Sequence, residues 1–139
     1  MREGDPQSIA NIATAYSKLE IADHQNYFAA ISDKEVCRSI AEEGDPQSIA
    51  NIATAYSKLE IADHQNYFAA ISDKEVCRWI VKEGDQQSIA DIATAYSKLE
   101  IADHQMSISL QSLIRKYADG LLKKEISSLL LTSQRLILS

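Results

Sequence analysis

Asp5-Pro6-Gln7-Ser8-Ile9-Ala10-Asn11-Ile12-Ala13-Thr14-Ala15-Tyr16-Ser17-Lys18-Leu19 decides the fold of this chain. It returns letter for letter at Asp45–Leu59 and again at Asp85–Leu99, where Gln86 stands for proline and Asp91 for asparagine. The period is 40 residues. As a helix the stretch is well signed. Asp5 is an N-cap whose carboxylate can accept from otherwise orphan amides, and Pro6 takes the first helical position, where a missing N–H costs nothing. On a 3.6-residue wheel Ile9, Ile12, Ala13, Tyr16 and Leu19 share one side, and Gln7, Asn11, Thr14 and Lys18 form a narrow polar stripe opposite. One such helix cannot bury its apolar side alone; stacked copies can. The expectation is an all-α protein, an α-solenoid of helical-hairpin repeats.

Working outward, Glu20-Ile21-Ala22 leads to Asp23, a second N-cap candidate, and then to the apolar cluster of Tyr27, Phe28 and Ile31. Ser32-Asp33-Lys34-Glu35 has the spacing of a capping box, so a second helix over 24–42 is expected to kink or restart at Ser32. Gly44 fits the left-handed position past a helix end, and Asp45 at once caps the next repeat. The sequence thus predicts helices near 6–19, 24–42, 46–59, 64–82 and 86–99. Units run 3–42, 43–82 and, in part, 83–105, where the repeat breaks off at Met106 in place of asparagine. The tail, 106–139, has its own helical spacing at Leu110, Leu113, Ile114, Tyr117 and Leu121, then Leu122, Ile126, Leu129 and Leu130, with an interruption expected at Asp119-Gly120. It is read as one or two helices capping the stack, or as a foreign, read-through end. Trp79, beside this irregular end, is expected to pack against the tail.

The chain has 139 residues, the size of one domain, and a 45% apolar fraction that fits a globular protein. Residues 1–105 hold 9 Lys/Arg against 18 Asp/Glu, and residues 106–139 hold 5 against 2. A body at −9 argues against tight general phosphate binding. No apolar run approaches the length of a bilayer span, and neither a signal peptide nor a basic transit segment stands at the N-terminus, so an intracellular protein without membrane attachment is expected. Cys37 and Cys77 fill the same slot of two units, which makes them a product of duplication rather than a disulfide framework.

Chemistry is sparse. His24, His64 and His104 recur every 40 residues, too far apart in a repeat stack to converge on one metal ion, and are expected to be solvated. No nucleophile–base pair, paired carboxylates or glycine-rich phosphate loop is present, so neither catalysis nor a metal or other cofactor is expected. The stripe is the candidate site: Gln7, Asn11, Thr14 and Lys18 should stack on Gln47, Asn51, Thr54 and Lys58, and these on Gln87, Asp91, Thr94 and Lys98. Repeat proteins that read single-stranded RNA use a few polar side chains per unit for bases, with basic residues on phosphates. The other reading of the stripe is a solvated face.

The run Asp5-Pro6-Gln7-Ser8-Ile9-Ala10-Asn11-Ile12-Ala13-Thr14-Ala15-Tyr16, followed by Tyr27-Phe28-Ala29-Ala30-Ile31, resembles the octotricopeptide-type repeats of RAP-domain and FAST-kinase-like proteins. Those repeats commonly read Asn-Pro-Gln-x-Leu-Ala-Asn-x-Ala-Trp-Ala-Phe and then Leu-Phe-x-Ala-Ile. The likeness covers residues 3–105, with Thr14, Thr54 and Thr94 at the tryptophan slot. It implies an α-solenoid that binds RNA in a mitochondrion or plastid and acts in organellar RNA metabolism. The acidic body fits a protein-interaction scaffold instead, and a truncated repeat fragment without a role of its own is the third reading.

Overall fold

Residues 5–19, 22–116 and 123–138 are described by a computed structural model, and no strand occurs among them. In chain order the helices are α1 (Pro6–Leu19), α2 (Gln25–Ile31), α3 (Lys34–Glu43), α4 (Pro46–Lys58), α5 (Gln65–Ile71), α6 (Lys74–Glu83), α7 (Gln86–Lys98), α8 (His104–Lys116) and α9 (Lys123–Leu138). The protein is all-α in this sense. The interruption expected at Asp119-Gly120 and the positions Tyr117, Leu121 and Leu122 lie outside the described residues.

The expected caps of the first-type helices form. Asp5, Asp45 and Asp85 accept the amides of Ser8, Ser48 and Ser88 at 3.2, 2.7 and 2.7 Å. Asp23 does not act as a cap. It lies inside a short 3₁₀ turn, Ala22–His24, and α2 begins without a side-chain cap. Only the third copy, Asp103, caps a helix, accepting the amide of Met106 at 2.7 Å as α8 begins.

The expected break is real in both complete units, so each holds three helices rather than a hairpin of two. Its cap is not the expected serine. Asp33 and Asp73 accept the amides two and three residues on, at 3.1 and 3.3 Å. Ser32 is turned inward, and its hydroxyl meets the Tyr56 hydroxyl at 2.7 Å.

Gly44 and Gly84 also differ from expectation. Both are extended, at φ −76° and −78°, and neither is left-handed. Glycine is needed there for space: a Cβ on Gly44 would lie 2.7 Å from the Ile40 carbonyl oxygen and 3.1 Å from Pro6 Cβ, and one on Gly84 2.6 Å from the Ile80 oxygen and 3.2 Å from Pro46 Cβ. Among the described residues the left-handed ones are Glu60 and Glu100, at φ 51° and 55°. They end α4 and α7 in paired bonds, Ile61 N–H to Tyr56 O and Glu60 N–H to Ser57 O, repeated at Ile101 and Glu100. This is a Schellman ending with glutamate where glycine costs least.

Packing follows the 40-residue offset. α1 lies against α4 and α4 against α7, while α3 packs on α5 and α6 on α8. α9 packs on α7 and α8, burying Ile126, and Ser133 meets Ser107 at 2.7 Å. A single cluster of buried residues runs from Ile9 to Ile126. Ile9, Ala10 and Ala13 and their copies are buried in all three first-type helices. Ile12 and Leu19, expected to pack, are 44% and 70% exposed in α1, whereas Ile52 and Ile92 are buried.

Candidate ligand surface

The stripe sits on α1, α4 and α7, three helices that are neighbours in series. Gln7, Gln47 and Gln87 near the start of each helix and Lys18, Lys58 and Lys98 in the last turn are exposed. Asn11 is exposed; Asn51, Asp91, Thr14, Thr54 and Thr94 are half-buried. Neighbouring first-type helices thus leave a band of donors and acceptors at equal register, with one lysine per unit at its end. The third unit differs in chemistry. Gln87 donates to the Asp91 carboxylate at 2.8 Å and the Thr94 hydroxyl donates to the Ala90 carbonyl at 2.7 Å. Among the described residues no matching bond ties Gln7 to Asn11 or Gln47 to Asn51. Gln87 is thus tied to its own helix, and the same bond is not made by Gln7 or Gln47.

Sequence reasoning passed over a second feature. A groove of about 320 Å³ lies where α3 faces α5 and α6, lined among others by Lys34, Arg38, Glu42, Asn66, Ala70 and Asp73. Lys34 and Arg38 fall on one side of α3 at a spacing of four, a signal that becomes visible once the helix is known to restart after Ser32. Opposite charges line this groove, which suits a polypeptide better than a polyanion.

The histidines are not simply solvated. His64 is half-buried, its Nδ1 2.7 Å from the Ile61 carbonyl and its ring edge-on to Phe68; His24 stands edge-on to Phe28. His104 is exposed. No group of three or more His, Cys, Asp or Glu side chains among the described residues is placed to hold a metal ion. Cys37 and Cys77 are free and buried, and each donates its S–H to a carbonyl, Ile31 and Ile71, at 3.2 Å. Burial, helped by the negative charge of Asp33 and Asp63, pushes the Cys37 thiol up to about 12. Burial likewise raises Cys77 to about 11 against an opposing hydrogen bond from Ser109. Thiols held neutral in this way are poor nucleophiles. Trp79 is 38% exposed on α6 and stacks on no aromatic ring among the described residues. No helix of the described residues is long and apolar enough to cross a membrane.

Comparison with protein-family models, with curated proteins and with solved structures finds no match for this chain.

Proposed function

We propose that this chain is a non-enzymatic α-solenoid module with a 40-residue period that binds single-stranded RNA along the stripe of α1, α4 and α7. The observation that carries the reading is the exposure of one glutamine and one lysine per unit on three helices packed in series. An extended polymer with a repeating charge is the ligand that such a surface can meet unit by unit. Amides at the Gln and Asn positions contact base edges, and Lys18, Lys58 and Lys98 hold phosphates. Through the octotricopeptide resemblance, the setting of this activity is organellar RNA metabolism. The second reading, a protein-interaction scaffold, is favoured by the mixed-charge groove at Lys34 and Asp73 and by the acidic balance of residues 1–105.

Salt titration separates the two. Three lysine–phosphate contacts predict that affinity for a single-stranded RNA falls with salt at a log–log slope of about −2, from about −0.7 per contact. Changing Lys18, Lys58 and Lys98 to Gln should flatten that slope. Changing Lys34 and Lys74 to Gln should leave it unchanged. Equal effects of both sets, or no association at low salt, would replace the RNA reading by the scaffold.

A further inference from the structure

The groove of about 320 Å³ between the first and second units has a direction. Asn66, the second residue of α5, donates from Nδ2 at 3.0 Å to the carbonyl of Ser32, just ahead of α3, so the two helices start side by side. Lys34 and Arg38 stand toward that end. Glu42, two turns beyond Lys34, and Asp73, past the end of α5, stand toward the other. Among the described residues no ion pair joins these cations to these anions. Between them the groove is lined by Ala41, Ala69 and Ala70, and Ala69 is exposed, so the space is open to solvent.

The next junction shows what the alanines leave room for. Val81, Ser109 and Leu110 stand there at the places of Ala41, Ala69 and Ala70, and Lys82 stands at that of Glu42. Leu110 is buried, as is Met106 at the place of Asn66. Arg78 pairs with Glu75 on its own helix at 3.4 Å, a bond that Arg38 does not make with Glu35 among the described residues.

We propose that this groove docks an extended segment of a partner protein that carries an acidic and a basic side chain three residues apart, with small residues between. The carboxylate meets Lys34 and Arg38, and the cation meets Glu42 and Asp73. Lys34 and Glu42 are eight residues apart on α3, about 12 Å at 1.5 Å per residue. Three residues of extended chain cover about 10 Å. A nucleic-acid strand would set phosphates against Glu42 and Asp73, so the occupant is a polypeptide. The site is made by α3, α5 and the start of α6, away from the stripe of α1, α4 and α7, and does not depend on the ligand that the stripe takes.

The test is fluorescence polarisation of the full chain with the dye-labelled, end-blocked peptide Gly-Glu-Ala-Ala-Arg-Gly and with its two like-charged counterparts, Glu or Arg at both places. The mixed peptide should bind about fivefold more tightly than either. Glu42→Lys should weaken the mixed peptide about fivefold and strengthen the doubly acidic one. Ala70→Leu should fill the groove and remove binding, with the urea midpoint followed alongside; the exposed Glu42 carries the test if that variant unfolds. Changing Lys18, Lys58 and Lys98 to Gln should leave peptide binding unchanged. Equal binding of the three peptides, the same order of affinities in Glu42→Lys, or no change in polarisation up to about 1 mM chain would overturn the proposal.

Discussion

The first and second units share 36 consecutive residues yet reach different states, and their difference isolates what a neighbour contributes. Tyr56 and Tyr67 stack at 5.0 Å, and the Tyr67 hydroxyl donates to the Ile49 carbonyl at 2.7 Å. Tyr16 and Tyr27 stack at 5.3 Å, but the Tyr27 hydroxyl is buried without a partner. α4 and α7 end in the same paired bonds at Glu60-Ile61 and Glu100-Ile101. The same letters thus give the same kind of helix, while how far their side chains are buried depends on which neighbours the helix has.

The largest expected effect comes from the isoleucine pair. Ile52→Ala should cost about 3 kcal/mol in urea unfolding, within the range for a fully buried branched side chain. Ile12→Ala should cost less than about 1 kcal/mol, because its side chain already meets water. Equal costs would break the comparison and mean that α1 is covered in solution.

Next is the tyrosine pair. Tyr56→Phe leaves the Ser32 hydroxyl buried without its partner and should cost about 1 kcal/mol or somewhat more. Tyr16→Phe should fall within error of the parent. Combining Tyr56→Phe with Ser32→Ala should cost less than the two single changes added together, since both groups serve one bond.

The last effect appears only in alkali. Cys37 and Cys77 ordinarily ionise at 9.0, and burial raises them to about 12 and about 11 in the folded chain. A raised folded value means stability present below pH 9 and lost as pH climbs toward those values. Tyr56, Tyr67 and Tyr96 are raised by burial too and add a loss of the same sign. The urea midpoint should therefore fall above about pH 9. Cys37→Ala should reduce that alkaline fall more than Cys77→Ala, and the reverse order would show that the second unit's thiol is the better shielded.

The starts of α1, α4 and α7 were legible because an aspartate cap, joined in the first two by a proline, acts within one turn. Asp33 and Ser32 are adjacent and both can cap, so the choice between them could not be made locally; it is made by Tyr56, 24 residues on, which engages the serine. Gly44 was legible as obligatory glycine but for the wrong reason, since left-handed backbone and lack of room for a Cβ leave the same letter. The exposed isoleucine at position 12 was illegible in principle, because its burial is decided by what lies beside α1. For the stripe, the glutamines and lysines are exposed, but Asn51, Asp91 and the three threonines are half-buried beside neighbouring helices, and Asp91 engages Gln87, which the wheel of a single helix does not show. The groove beside Lys34 depended on the break after Ser32 and on the contact between α3 and α5.

At Gly44 and Gly84 the chain passes so near the proline that opened the preceding unit that an added Cβ would lie 3.1 Å from Pro6 Cβ or 3.2 Å from Pro46 Cβ. A pyrrolidine ring on one side and a carbonyl oxygen on the other leave no flexible side chain that could give way to a larger residue there. A side chain at either glycine would therefore wedge α4 from α1, or α7 from α4, at the point where one unit hands over to the next.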